Sequence, residues 1–288
     1  MAKTPHSGFR PSRKGAPLER RRGGKAKPAS PAPKSPNESW QSHATWYASQ
    51  ANAPDSPQQQ IILPRVNQLL AGEPVGSLLD VGCGPGVFSQ VFARLGWQVT
   101  GIDIAEDTIE LARRDARASS LSIKFLVDDA TQLNRCRNQG PWQAIVSILQ
   151  LMNVEKADLE IKAVAANLVH QGIFVGVILH PAFRIPRQSH WGWDDPQKIQ
   201  YRRLDRYLSP ISIPITMHPG QSTSTQTLTF HRPISWYFNQ LAAAGLLVEQ
   251  VEEWCSTRRA NSGPRAKAEN RAAEEFPLFL AWRARKIG

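Results

Sequence analysis

The sequence has few cysteines and no long apolar run, and each shortage excludes a class of protein. Its 288 residues contain three cysteines, which match neither a disulfide framework nor the ligand spacing of a zinc site. Its best apolar run, residues 173–179, has the length of a buried β-strand and is too short to span a bilayer. The N-terminus also lacks the apolar core of a secretory signal. We therefore expect a cytoplasmic protein with no metal site and no membrane contact.

Acidic residues are scarce in the first 39 positions, where ten Lys and Arg face two glutamates and supply +8 of the net charge of +11. This segment is rich in proline and poor in large apolar residues, so it cannot bury enough surface to offset the entropy of ordering. We expect residues 1–36 to form a disordered basic tail and structure to begin near Asn37. The composition leaves open a solvated extension, a tether to RNA or the ribosome, and a targeting leader.

The strongest local pattern is a strand, a glycine turn and a helix. Residues 75–81 are largely apolar, glycines occupy positions 82, 84 and 86, and residues 87–96 predict a helix that ends at a glycine. Alternate glycines allow backbone N–H groups to approach a ligand without interference from side chains. A dinucleotide-binding loop, G-x-G-x-x-G, would need its third glycine at position 87, which is Val87.

An acid two residues before the first glycine completes a different pattern, Asp80-x-Gly82-x-Gly84-x-Gly86. This pattern resembles the first motif of the class I S-adenosylmethionine-dependent methyltransferases. The resemblance implies that the loop, including Cys83, wraps the methionine part of the cofactor. It also implies that the acid lies near the cofactor's amino group.

Two further acids follow at the ends of predicted strands. Asp103 ends the second strand, 21 residues after Gly82, where a carboxylate can accept both hydroxyl groups of a ribose. The third strand ends in Asp128 and Asp129, and the resemblance implies that Asp129 accepts from the adenine amino group. Each acid taken alone could instead cap the next helix. The resemblance implies the following cofactor-binding residues: Asp80, Gly82, Cys83, Gly84, Gly86, Asp103, Ile104, Asp129, Ala130 and Tyr47.

Strands and amphipathic helices alternate along residues 37–288, which predicts a single α/β domain. Helices are predicted over residues 106–118, over 154–171 and from position 233 to the glycine at 245. The resemblance implies a Rossmann-like fold, with a seven-stranded, mostly parallel sheet and helices on both faces. The strand order implied is 3-2-1-4-5-7-6.

Two helices are predicted before the first strand, over residues 38–47 and 58–70, the second bent at Pro64. In the resembling family such helices cover the cofactor, and a tyrosine often reaches its carboxylate. Trp46 and Tyr47 are the candidates for this contact, although ordinary packing against the first strand would also explain them.

Residues 180–232 are an insertion that the minimal fold does not need, and they begin at the carboxyl end of the fifth strand. Ligands of open α/β sheets bind at that edge, so we interpret the segment as a substrate lid. Arg184 and Arg187 indicate an acceptor with a carboxylate or phosphate, and Trp191 and Trp193 indicate a flat or apolar body. A dimer interface and plain lid packing are the alternatives.

Methyl transfer needs alignment of the reacting atoms, and a base only where the acceptor must lose a proton. His180 and Asp194 are the predicted catalytic residues, with His190 and His231 as further candidates. The insertion is similar to one in a little-characterised group of bacterial methyltransferases, which implies no particular substrate.

Motifs that are missing narrow the acceptor. The fourth strand is followed by Ser147-Ile-Leu-Gln150 in place of the D/N-P-P-aromatic motif of enzymes that methylate exocyclic amines of nucleic-acid bases. No cysteine is placed as the nucleophile of a cytosine-C5 enzyme, and the paired glutamates of protein-arginine methyltransferases are missing. We expect methyl transfer to an O, N or C atom of a small molecule. The alternatives are an RNA methyltransferase recruited by the tail and a non-catalytic module that keeps the cofactor fold.

Overall fold

A computed structural model describes residues 44–216 and 226–288. The predicted basic tail of residues 1–36 and the predicted start at Asn37 lie outside the described residues. The strands are β1 Ser77–Val81, β2 Gln98–Asp103, β3 Lys124–Val127, β4 Trp142–Ile148, β5 Leu168–Leu179, β6 Ser189–Asp194, β7 Ile199–Leu204, β8 Ile211–Thr216, β9 Gln226–His231, β10 Leu246–Trp254 and β11 Phe279–Lys286. The α-helices are α1 Ala44–Asn52, α2 Leu63–Leu70, α3 Val87–Arg94, α4 Glu106–Ala118, α5 Ala157–Asn167, α6 Ile234–Ala243 and α7 Ala266–Glu275.

Seven strands form one sheet in the order β10-β11-β5-β4-β1-β2-β3. The five strands from β3 to β5 are parallel, and β11 lies between β5 and β10 with antiparallel pairing on both sides. This order confirms the predicted Rossmann-like fold, because β10 and β11 are the sixth and seventh strands of the prediction. The carboxyl ends of β1, β2, β4 and β5 meet at one edge of the sheet, where ligands of such folds bind.

Apolar side chains cover both faces of the sheet. One face buries Trp142, Tyr237 and Trp282, and the other buries Phe92 and the apolar side of α2. The indole of Trp282 in β11 lies so close to β5 that a Cβ added at Gly176 would be 2.1 Å from its ring. Only glycine therefore allows β5 and β11 to pack in this register.

The helix predicted over 154–171 is shorter than expected, and this boundary was wrong. α5 ends at Asn167, and β5 begins at once with Leu168, which pairs with Trp142 of β4. The register then shifts before Ala144, and Gln171 adopts a positive φ of 63°. The apolar period of the helix continues into the strand, so the sequence pattern did not mark the change.

The chain before β1 follows the prediction in outline. One π-helical turn, Gln58–Ile62, leads directly into α2, and Pro64 lies in the first turn of that helix. Proline is tolerated there because the first N–H groups of a helix have no partner within it. The predicted helix over 38–47 is described only from Ala44, where α1 begins.

The insertion of residues 180–232 contains two hairpins, β6–β7 and β8–β9, which pair only within themselves in the part described. Residues 217–225 lie outside the description. The polar stretch after β10 contains α7, which the sequence analysis missed. None of the helices within residues 44–216 and 226–288 combines the length and apolar character needed to cross a membrane.

Candidate active site

The glycine turn after β1 has the backbone conformation that the motif predicted. Gly82, Gly84 and Gly86 have positive φ angles of 68°, 55° and 79°, which L side chains rarely adopt. A Cβ at Gly82 would lie 2.1 Å from Cγ of Gln150, and one at Gly86 would lie 2.9 Å from the Phe125 ring. A Cβ at Gly84 would meet only the Tyr47 ring, at 3.8 Å. The middle of the turn is therefore open toward that ring.

Asp103 at the end of β2 fixes the turn from the neighbouring strand. Its Oδ2 accepts from the Gly84 N–H at 3.0 Å, and its Oδ1 accepts from the Ala105 N–H at 2.9 Å. Each carboxylate oxygen can accept a second hydrogen bond. Asp103 can therefore hold the turn and still receive two hydroxyl groups, as the ribose prediction requires.

Asp80 is a buried carboxyl that forms no ion pair within the described part of the chain. It is 2% exposed, and Ser89 Oγ donates to its Oδ2 at 2.5 Å. Burial raises the pKa of Asp80 to about 7, and the charge of Asp103 adds to this effect. The hydrogen bond from Ser89 acts in the opposite direction. A ligand with an ammonium group would lower that pKa again, which fits the predicted partner of this residue.

The two acids after β3 have different surroundings. Asp128 is buried, and it accepts from the N–H groups of Asp129, Arg135 and Cys136 at 2.8–3.1 Å, so it holds the following loop. Asp129 is half-buried; its Oδ1 accepts twice from Thr131, and its Oδ2 accepts once from a glutamine side chain. Each carboxylate accepts three hydrogen bonds, but Asp129 is the more exposed of the two, so it is the acid that a ligand's amino group could reach.

The remaining predicted cofactor residues surround this edge of the sheet. Tyr47 of α1 is half-buried, and burial raises the pKa of its phenol, with further contributions from the charges of Asp80 and Asp103. Ile104 and Ala130 are half-buried directly after their acids. Burial raises the pKa of Cys83 well above its ordinary value, so the thiol stays protonated and acts as a small residue of the turn.

Beyond β4 lies a polar network that the sequence analysis did not identify. Ser147 Oγ lies 3.0 Å from Oε1 of Gln150 and 3.2 Å from Oε1 of Glu160, a fully buried residue of α5. Burial raises the pKa of Glu160 to about 8, against the hydrogen bonds from Gln150 and Ser147. The only sequence signal was the segment Ser147–Gln150, which stands where related enzymes carry a catalytic motif.

His180, the predicted base, lies at the end of β5 with its ring 1% exposed. Its Nδ1 accepts from the N–H groups of Ala182 and Phe183 at 3.1 and 3.2 Å, which leaves Nε2 to donate to Glu253 at 2.6 Å. Burial lowers the pKa of His180, against the opposing effect of Glu253. Both ring nitrogens hold the turn after β5, so this geometry does not favour the predicted role as a base.

The other predicted substrate residues divide into two groups. Arg184 lines a pocket outside the carboxyl end of β5, and His180 and His231 line it too. By contrast, Trp191, Trp193 and Asp194 belong to the β6–β7 hairpin. There the indole of Trp191 packs on Phe276, and Arg265 lies 4.6 Å over the indole of Trp193. These roles stay predictions.

Several other predicted side chains make contacts within the insertion itself. Asp194 Oδ1 accepts from the Gln197 N–H in the hairpin turn at 2.9 Å. Arg187 is exposed with a positive φ of 60°, and His190 Nε2 lies 3.3 Å from Oδ2 of Asp205. His231 Nε2 donates to the Tyr207 carbonyl at 2.6 Å. These contacts do not bring Asp194, Arg187, His190 or His231 to the glycine turn.

Comparison with known proteins identifies related sequences and folds. A family model described as a methyltransferase domain matches residues 78–172. The ubiquinone biosynthesis O-methyltransferase of Shewanella halifaxensis is 30% identical over 110 residues, which are 38% of this chain and 46% of that protein. The protein of the same name from Xanthomonas axonopodis pv. citri is 32% identical over 120 residues, 41% of this chain and 50% of that protein. The chain thus spans about half the length of the curated relatives it matches.

Solved structures extend the likeness to most of the fold. An S-adenosylmethionine-dependent methyltransferase from Mesorhizobium loti superposes with a TM-score of 0.59 at 25% sequence identity. The superposition covers 77% of this chain and 96% of the other. The family model ends at residue 172, so it contains the glycine turn and the three acids but none of the insertion.

Proposed function

We propose that this chain is a class I S-adenosylmethionine-dependent methyltransferase and that it transfers a methyl group to a small-molecule acceptor. The observation that carries the proposal is the glycine turn held by Asp103, with the buried Asp80 beneath it. In a methyltransferase of this class the cofactor supplies an electrophilic methyl group on a sulfonium. The protein has to hold that methyl group in line with the acceptor and keep water away.

Each cofactor residue has a distinct task in this proposal. Asp80 holds the ammonium group, and the N–H groups of the turn face the methionine part. Asp103 receives the ribose hydroxyls on its two unused lone pairs, and Asp129 receives the adenine amino group. Tyr47 closes the open side of Gly84. All of these contacts orient the cofactor, and none of them requires a proton to move during the transfer.

The acceptor is a separate question because the matched region ends before residue 180. The relatives are named for O-methylation in ubiquinone biosynthesis, but their likeness covers only 38% and 41% of this chain. We propose a small molecule with an O, N or C nucleophile that enters between the glycine turn and the insertion. Because both nitrogens of His180 are occupied, alignment rather than general base catalysis would carry most of the acceleration.

Calorimetry with S-adenosylhomocysteine tests the cofactor proposal. The wild-type protein should bind this product, and Asp103→Ala should lower the affinity about tenfold or more, because two hydrogen bonds to a charged group are lost. Asp115→Asn, a change at a half-buried carboxylate of α4 that pairs only with Arg114 among the described side chains, should leave the affinity unchanged. Failure of the wild-type protein to bind would refute the proposal, and binding of NAD instead would point to a dehydrogenase.

A further inference from the structure

The pocket outside the carboxyl end of β5 is built from distant parts of the chain. Met152, His180 and Arg184 line it from one side, and Phe230, Arg232 and Tyr237 line it from the other. Its cavity volume is about 30 Å³, which is enough for one small polar group, and it opens to solvent beyond that. Met152 lies two residues after Gln150, whose side chain packs against Gly82. A molecule in this pocket would therefore lie at the same edge of the sheet as the glycine turn.

Arg232 is the unusual member of the lining because it is a buried cation without an anion. It is 8% exposed, and its Nη2 donates to the carbonyls of Val154 and Glu155 at 2.8 and 2.6 Å. Its guanidinium lies 4.6 Å over the ring of Trp236. Its Nη1 is buried and has no hydrogen-bond partner among the described residues. A buried guanidinium that is paired only with neutral groups, with one nitrogen unused, is costly unless a ligand completes it.

The surrounding groups do not supply the missing charge. The described residues that line the pocket include no aspartate and no glutamate. Glu160 influences Arg232 from α5, but no ion pair joins them, and burial raises the pKa of Glu160 to about 8, so its carboxyl is mostly protonated at neutral pH. Burial also raises the pKa of Tyr237, against the charge of Arg232 and a hydrogen bond with it, so the phenol is a further neutral partner of the guanidinium. Arg184, at the exposed rim, forms no ion pair with a described residue and adds a second positive charge.

We propose that this pocket binds a carboxylate group of the methyl acceptor, with Arg232 as the buried cation and Arg184 as the cation at the rim. This assignment rests on the proposed function, because it names the acceptor of the same site. A carboxylate suits the pocket better than a phosphate does. Only one buried nitrogen is free, and apolar side chains such as Met152 and Phe230 form much of the wall. The remainder of the acceptor would then be apolar or aromatic.

The experiment uses the full chain saturated with S-adenosylhomocysteine and three probes: benzoate, its neutral isostere benzamide, and phenyl phosphate. Calorimetry should show that benzoate binds at least about tenfold more tightly than benzamide, because a charge-assisted pair is lost in the amide. Benzoate should also bind more tightly than phenyl phosphate. Equal binding of benzoate and benzamide would overturn the proposal, and a preference for phenyl phosphate would overturn the choice of a carboxylate.

Three variants locate the effect. Arg232→Gln and Arg184→Gln should each weaken benzoate binding by about tenfold while the affinity for S-adenosylhomocysteine stays the same. Arg114→Gln removes one positive charge at an exposed position of α4 and should change neither affinity. Arg232 also holds two backbone carbonyls, so if its variant does not fold, Arg184→Gln decides the question.

Failure of this proposal can be told from failure of the proposed function. A protein that binds S-adenosylhomocysteine but shows no benzoate binding at millimolar concentration overturns the carboxylate pocket and leaves the methyltransferase proposal standing. Benzoate affinity that is the same in the wild type and in the folded Arg184→Gln variant overturns it too.

Discussion

The two halves of the carboxyl edge of the sheet are built in different ways. The cofactor half uses turns that follow β1, β2 and β3 directly, and most of its contacts join a backbone N–H to the carboxylate of a nearby strand end. The acceptor half brings together side chains that are far apart in the chain, as when Arg232 reaches the carbonyl of Val154 across 78 positions. The first half therefore depends on backbone conformation, and the second depends on side chains that only the complete fold assembles.

The largest expected effect comes from adding a methyl group to the cofactor turn. Gly82→Ala should lower the affinity for S-adenosylhomocysteine about a hundredfold, because a positive φ is strained for alanine and the new Cβ would clash with Gln150. Gly84→Ala carries the same backbone strain without the clash, and we expect a loss of about tenfold. Calorimetry on both variants measures the difference.

Thermal unfolding is the control for this pair, since both variants should keep a cooperative transition. If Gly84→Ala weakened binding as much as Gly82→Ala, the close packing of Gln150 on the turn would have no part in cofactor recognition.

The next effect concerns the pH dependence of the cofactor half. With a pKa of about 7, Asp80 carries a proton in the free protein below neutral pH, and a cofactor ammonium requires the carboxylate. Binding must then release that proton, so the affinity for S-adenosylhomocysteine should rise as pH increases toward 7, by up to about tenfold per pH unit, and level off above it. Calorimetry between pH 5 and pH 8 measures the slope.

Asp80→Asn is the matched variant, and it should remove most of this slope while lowering the affinity at pH 8. Burial also raises the pKa of Asp103, so any slope that remains in the variant belongs to that residue. An unchanged slope in Asp80→Asn would show that Asp80 does not hold the ammonium group.

The smallest effect is expected behind the acceptor half, at Glu160. Its pKa in the folded protein, about 8, lies above the ordinary value of 4.5, so the folded state retains a proton that the unfolded chain has released. The free energy of unfolding should therefore fall as pH rises from about 4.5 to about 8. Glu160→Gln removes this dependence and should be more stable than the wild type at pH 8.

Thermal unfolding across this pH range compares the two proteins, with Glu110→Gln at an exposed position of α4 as the control. A stability difference that does not vary with pH would mean that Glu160 is ionised in the folded protein.

The comparison also explains how much the sequence could predict. The turn of Gly82, Gly84 and Gly86 follows from spacing that is local in the chain, whereas the strand order was implied by the family resemblance; the structure has both. The different roles of Asp128 and Asp129 could be assigned only from the structure. Two adjacent acids after a strand look alike in the sequence until their N–H partners are known. Asp129 is the more exposed of the two, which supports its predicted role.

Arg232 was missed for a different reason. In the sequence it is one of many arginines, flanked by His231 and Pro233, and nothing nearby marks it as buried. Its burial depends on Trp236 and on carbonyls that precede α5. Arg187 and Trp191 of the insertion are also an arginine and an aromatic residue, but they are exposed and lack such buried partners. Residue type alone therefore could not separate a pocket from a surface.

The position of β11 has a consequence for the order in which the chain can fold. β11 follows the other strands in the chain, yet it lies inside the sheet, where Trp282 packs on Gly176 of β5. As synthesis proceeds from the N-terminus, β1 to β4 can pair once residue 148 has emerged, whereas one edge of β5 stays open until residues 279–286 follow. An open apolar edge can pair with other chains. The cofactor half of the sheet therefore completes its pairing first, and the newly made protein is most exposed to misassembly at the strand that leads into the acceptor pocket.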